Sequence, residues 1–187
     1  PDVILAEPVG SCTDIMATVM RPLAVRAESA SGPAYIVAPF TVLVDPLRLA
    51  QPDQGAADYV YRKQLEEAEL IGVTKLDTVE PQAGEAALHR LRQRLGPDRV
   101  LPLAAAAGEG VDAWLDAVMV RESELALRLD IDYATYAAAE AALGWLNAAG
   151  VVEARVPFSA HNWLAYLLRM LDAALSETRS QIAHIKA

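Results

Sequence analysis

One cysteine, Cys12, in 187 residues excludes an internal disulfide and fits a reducing compartment, so a cytoplasmic location is expected. Aromatic residues are scarce at 6%, and the abundance of alanine suits close packing of helices on a sheet. Positive charge is in deficit, with 16 Lys and Arg against 25 Asp and Glu, a net charge of −9. Such a chain has no basic excess to neutralise phosphates, which argues against a nucleic-acid partner. No stretch approaches ~18 uninterrupted apolar residues, so no membrane span is expected. No basic segment leading into an apolar one opens the sequence, so no secretory leader is expected either. What is present is apolar residue in quantity, 53% of the chain. That is enough for one well-cored domain, or one domain with a small appendage.

The first two-thirds alternates strand-like and helix-like stretches. "VILAE" (3–7), "FTVLVDP" (40–46), "LIGVTKLD" (70–77) and "RVLPLAAAAGEG" (99–110) read as buried strands with polar or small-residue ends. Between them, "DIMATVMRPLAVRAE" (14–28), "AADYVYRKQLEEAE" (56–69), "GEAALHRLRQRLG" (84–96) and "VDAWLDAVM" (111–119) read as helices. Thr13 or Asp14 is a candidate N-cap for the first helix, and Pro22 is expected to kink or interrupt it. This alternation predicts βαβ units and an α/β fold with a mainly parallel sheet over 1–120. From 121 the character changes. The stretch 121–140 begins as a charged linker and leads to two apolar runs around a turn at 147–150. A long helix follows at 159–180, with Ser159 as N-cap and a Trp163, Leu164, Leu167, Leu168, Leu171 and Leu175 stripe expected to be core. "QIAHIKA" (181–187) alternates like a closing strand, giving a small C-terminal α+β domain over 121–187. For 138–146 the alanines allow strand or helix.

In parallel sheets ligands bind beyond the carboxyl ends of the strands, so those ends carry the chemistry. In "TKLD", Asp77 can accept two hydrogen bonds from the guanine edge, its ring N–H and exocyclic amine; adenine presents the opposite pattern. Lys75 can lay its alkyl stem along a base plane, and Thr74 can brace the neighbouring loop through its hydroxyl. The alternative is an ordinary solvated turn. One helix later, "LPLAAAAGEG" places small residues where backbone amides could approach a base oxygen.

With these motifs in order, the chain resembles the CobW/HypB-type P-loop GTPases. "VILAEPVG" matches their Walker B pattern of an apolar run followed by E-x-x-G, at Glu7 and Gly10. "LIGVTKLD" resembles the guanine-specificity strand, with Thr74 where the family usually has Asn. "AAAAGEGVDAWL" resembles the last guanine loop, and "QIAHIKA" the closing strand of the C-terminal domain. The resemblance is weakest over 121–158. It implies that Glu7 lies near the nucleotide's Mg²⁺ shell or the attacking water. It implies too that Thr74, Lys75 and Asp77 serve guanine, and that Ala105, Ala106 and Gly108 line the base loop. The implied chemistry is GTP hydrolysis by positioning and electrostatics, coupled to delivery of a metal or cobalamin-related cofactor to a client protein. The metal itself is not readable.

Two departures matter. The sequence contains no G-x-x-x-x-G-K-[S/T] phosphate loop and no C-x-C-C metal motif. The expectation is a fragment of a longer GTPase, with both motifs upstream of residue 1 and no GTP hydrolysis by this chain alone. Such a fragment would expose strand edges and apolar surface and would self-associate. The competing reading is a non-catalytic interaction or regulatory module that keeps the GTPase-like sheet. An unrelated dinucleotide fold ranks last, since its Gly-rich fingerprint is missing. Cys12 is a metal ligand, a redox-sensitive thiol or simply a small loop residue; no second Cys or nearby His completes a metal site. His89, His161 and His184 are far apart in sequence. Asp45-Pro46 reads as a strand-end turn, and Trp145 as core or a subunit contact.

Overall fold

The computed structural model describes residues 2–8, 10, 12–28, 36–50, 56–125, 130–142 and 146–178. The chain forms two compact units, Pro1–Gly144 and Trp145–Ala187. Residues 121–144, expected in the C-terminal domain, therefore belong to the first unit.

The first unit is an α/β fold. Three strands, β1 (Thr41–Val44), β2 (Leu70–Val73) and β3 (Val100–Pro102), form a parallel sheet in the order β1-β2-β3. Val44 pairs with Val73, and Ile71 with Val100. β2 is buried along its whole length, as a continuous apolar run without alternation should be at the centre of a parallel sheet. A Cβ at Gly72 would meet Leu103 Cδ1 at 2.5 Å and Leu43 Cδ2 at 2.9 Å, so a side chain there would displace both leucines.

Helices α2 (Pro46–Ala50) and α3 (Ala56–Glu67) lie between β1 and β2 in the chain, and α4 (Pro81–Leu95) between β2 and β3. Leu65 from α3 and Leu91 from α4 close the main core over Val44, Ile71, Val73 and Val100. α5 (Val111–Val120) follows β3 and donates Trp114 Nε1–H to Thr41 Oγ1 at 3.1 Å. α6 (Tyr133–Ala142) packs along α3. Its start is fixed by Asp132, whose Oδ1 accepts from the Ala134 amide at 3.0 Å, while Oδ2 accepts from the Thr135 hydroxyl at 2.5 Å. The span expected to be a charged linker thus contains a capped helix, and residues 138–142 resolve as helical.

The first helical segment departs from expectation at both ends. A π-helical turn (Met16–Met20) runs into α1 (Arg21–Glu28). The Arg21 amide donates to the Met16 carbonyl, five residues back, one residue before Pro22, which has no N–H to give. Pro22 therefore coincides with a widened turn rather than a break. Neither Thr13 nor Asp14 caps the helix. The cap is Glu67 of α3, whose Oε1 accepts from the Met16 amide at 2.5 Å.

The strand expected at 3–7 is not formed. The segment is extended but has no ladder partner among the described residues, and Ile4 and Leu5 are 80% and 77% exposed. An apolar run becomes a buried strand only when a neighbour accepts its ladder, and among the described residues β1 pairs with β2 alone, its other side open. The sheet accordingly has three of the four expected strands.

In the second unit, α7 (Ala160–Glu177) starts at Ser159, whose Oγ accepts from the Asn162 amide at 3.3 Å, as expected for an N-cap. None of its residues is buried, so the leucine stripe is not the core that helical spacing suggested. The expected hairpin over 141–158 is likewise not formed: residues 146–159 have no regular structure. Trp145 and "QIAHIKA" lie outside the described residues. Among the described residues no helix is long and apolar enough to cross a membrane.

Candidate functional site

The carboxyl ends of the three strands meet in one place. β1 runs into Asp45, whose Oδ1 accepts from the Leu47 amide at 2.9 Å and whose backbone carbonyl accepts from the Arg48 amide at 3.1 Å, starting α2. β2 runs into Thr74 and Lys75. The Thr74 backbone amide, not its hydroxyl, bonds to the neighbouring strand end, donating to the Val44 carbonyl at 2.8 Å. Lys75 then takes a left-handed conformation, φ 57° and ψ 31°, which turns the chain sharply at the strand tip. For an L-residue with a Cβ that conformation costs about 1–2 kcal/mol in strain.

Three contacts hold the turn. Lys75 Nζ lies 3.0 Å from Asp45 Oδ2, bridging adjacent strand ends. The Thr78 hydroxyl and amide both donate to the Lys75 carbonyl, at 2.8 and 3.0 Å. Asp77 sits inside this turn with its side chain exposed and no hydrogen bond among the described residues.

The third strand end is fixed to the second. Leu103 N–H donates to Val73 O at 2.8 Å, and Leu76 N–H donates to Leu103 O at 3.3 Å. Beyond Leu103, Ala104 and Glu109 exchange backbone hydrogen bonds at 2.9 and 3.1 Å and pinch off a loop. Its tip, Ala105–Ala107, forms one 3₁₀ turn, and Gly108 follows at φ 78°. Ala105, Ala106 and Gly108 are all exposed. Gly110, at φ 76°, starts α5; a Cβ there would lie 2.1 Å from the Pro102 carbonyl oxygen. The glycine spacing in "GEG" thus has a steric cause.

The structure therefore places Thr74, Lys75 and Asp77 at the end of β2 and Ala105, Ala106 and Gly108 in the loop after β3, the two strand ends joined through Leu76 and Leu103, and adds Asp45 at the end of β1. Glu7 is not part of this group. It is exposed on the extended segment 2–8, outside the sheet. Cys12 is half-buried against the Ile15, Met16 and Met20 cluster, and its carbonyl accepts from Gln64 Nε2 at 3.0 Å, which fits the small loop residue. His89 and His161 are exposed on α4 and α7, and His184 lies outside the described residues. Among the described residues no three His, Cys, Asp or Glu side chains gather into a cation site. Glu7 has no companion donor set, so the residues present do not fit a magnesium site.

Two structural carboxylates escape the sequence pattern. Glu67 is fully buried, and burial pushes its pKa up while the Met16, Ile15 and Asp14 amides pull it back. Glu69, half-buried, accepts from the Phe40 amide at 2.8 Å, the Ser123 hydroxyl at 2.7 Å and the Glu124 amide at 2.7 Å, tying segment 121–125 to the entry of β1. Both stand among acids at 66, 67 and 69 that read locally as helix surface. No family model matches the chain, and comparisons with curated proteins and with solved structures yield no match.

Proposed function

We propose that the strand-end group is a guanine-base site and that the chain is the guanine-recognising part of a CobW-type GTPase. The observation that supports this most is the strained turn at Lys75, held by Asp45 and presenting an exposed Asp77, with a loop of small residues following the next strand of the sheet. Local strain maintained by surrounding contacts at a strand tip is characteristic of sites where geometry serves binding. In this reading Asp77 accepts from the ring N–H and exocyclic amine of guanine. The Lys75 stem lies against the base, and the Ala105–Gly108 backbone approaches the base oxygen. The parent activity is GTP hydrolysis coupled to delivery of a metal or cobalamin-related cofactor to a client protein. These base contacts require no magnesium, and with no phosphate loop in its sequence this chain by itself does not turn over GTP.

Calorimetry with GTP and ATP tests the assignment. GTP binds measurably more tightly than ATP, and Asp77→Asn reverses the preference between GTP and xanthosine triphosphate, because Asn presents a donor to the xanthine carbonyl. Equal affinity for GTP and ATP removes the guanine reading. The non-catalytic alternative, an interaction module, draws support from the apolar stripe that α7 leaves unburied; in that case the chain binds no nucleotide and retains a protein partner.

A further inference from the structure

A second cleft, of about 180 Å³, opens between α2, α3 and the end of α4. Leu49 and Leu65 form its apolar wall, and three guanidinium groups line it, from Arg48, Arg62 and Arg94. Asp58 is the one carboxylate in the lining, and it is engaged by Arg48 Nη2 at 2.6 Å. Three positive groups against one negative is a local reversal of sign in a protein whose net charge is −9. Arg62 and Arg94 make no ion pair among the described residues.

Tyr61 stands among these groups. The Arg48 guanidinium lies 5.3 Å from its ring centroid, and its hydroxyl is buried with no hydrogen-bond partner among the described residues. A buried hydroxyl without a partner is uncommon in folded proteins and calls for a ligand or water to complete it. Burial pushes the Tyr61 pKa up to about 12 against the pull of Arg48 and Arg94, with Asp45 and Asp58 adding to the rise. A cluster of arginines at the mouth of a cleft is complementary to an oxyanion. Arginine favours planar, bidentate contact with phosphate oxygens. The volume is about six times the ~30 Å³ share of one water. It falls short of the ~300 Å³ at which pockets for drug-sized molecules begin. A phosphoryl group fits; a nucleotide does not.

We propose that this cleft binds a phosphate-type oxyanion, either free or as the terminal phosphoryl group of a small molecule, through Arg48, Arg62 and Arg94, with the Tyr61 ring packed under Arg48. It shares no residue with the strand-end group, so failure of the guanine reading leaves it standing.

Isothermal titration of the whole chain at neutral pH and constant ionic strength is the test, with inorganic phosphate, glycerol 3-phosphate and acetate as probes. Phosphate binds saturably and acetate does not. Saturable binding of glycerol 3-phosphate as well identifies the terminal phosphoryl group as the ligand class, whereas binding of phosphate alone identifies the free ion. Arg62→Gln and Arg94→Gln each weaken binding by about tenfold, as loss of a charge-assisted hydrogen bond should. Tyr61→Phe leaves binding within about twofold, and its melting temperature without phosphate is no lower than that of the unaltered protein, because the substitution removes an unsatisfied buried group. No saturable binding of either phosphate compound, acetate binding as tightly as phosphate, or affinity unchanged in both arginine variants overturns the proposal.

Discussion

Asp45 uses its two oxygens differently, and substitutions can separate the roles. Oδ1 caps α2 and Oδ2 holds Lys75. Replacing a capping Asp by Ala costs about 1 kcal/mol. The lysine is largely exposed, so its ion pair adds less than about 1 kcal/mol. Asp45→Ala should therefore lower unfolding stability by about 1–2 kcal/mol, measured in urea, while Asp45→Asn keeps the cap acceptor and loses less. If the turn serves guanine, both weaken GTP binding by more than their effect on stability suggests, since Lys75 loses its anchor. Glu67 gives the second test at this scale. Its folded pKa is raised by burial above the ordinary glutamate value, so the native state binds more protons than the unfolded one in that window. Stability contributed by this group is then complete below the ordinary glutamate range and falls as pH rises through the raised value. Glu67→Gln retains an acceptor for the Met16 amide and should flatten that part of the pH profile. An unchanged slope between mildly acidic and neutral pH would show that Glu67 does not carry it.

Among the elements, the glycines after β3 allow a paired test of sterics against strain. Gly108 and Gly110 both have positive φ, but a Cβ at Gly108 meets nothing within 4 Å, whereas one at Gly110 meets the Pro102 carbonyl oxygen at 2.1 Å. Gly108→Ala should cost about 1 kcal/mol from backbone strain alone. Gly110→Ala should cost about 3 kcal/mol because β3 must also shift. Similar melting temperatures for the two variants would contradict this geometry. These loop glycines and the central strand were legible because their causes are local: a buried four-residue apolar run and a G-x-G turn announce themselves in the chain. α3, α4 and α5 were legible for the same reason. The segment 3–7 was not, because whether an apolar run joins a sheet depends on a neighbour that its own residues do not specify. α6 was missed because its alanine-rich sequence has weak periodicity, and its signal was the Asp132 cap. At the candidate site, the "TKLD" turn and the small loop were visible as motifs. Asp45 reaches Lys75 across 30 residues and Glu67 reaches Met16 across 51, and no sequence pattern encodes such contacts.

For the molecule as a whole, the balance is between apolar exposure and charge. Leu43 on the outer edge of β1 is 63% exposed, Ile4 and Leu5 are more so, and none of the α7 residues is buried. A helix with an apolar stripe gains little by remaining solvated on that side, and an uncovered sheet edge invites pairing. Self-association is therefore proposed, with the exposed Trp163, Tyr166, Met170 and Leu175 of α7 as the principal surface. A net charge of −9 opposes it, because like-charged copies repel. That opposition is screenable: the Debye length shrinks from about 30 Å at 0.01 M salt to about 8 Å at 0.15 M. Added salt should accordingly increase the mass seen by light scattering, the reverse of what an assembly held by ion pairs would do. Tyr166→Glu with Met170→Glu places charges on this exposed side of α7 and should return the protein to monomer at every salt concentration without loss of helical circular dichroism. Association that persists in this double variant assigns the contact to another surface, the β1 edge foremost, and a chain that is monomeric at all concentrations and salts removes self-association altogether.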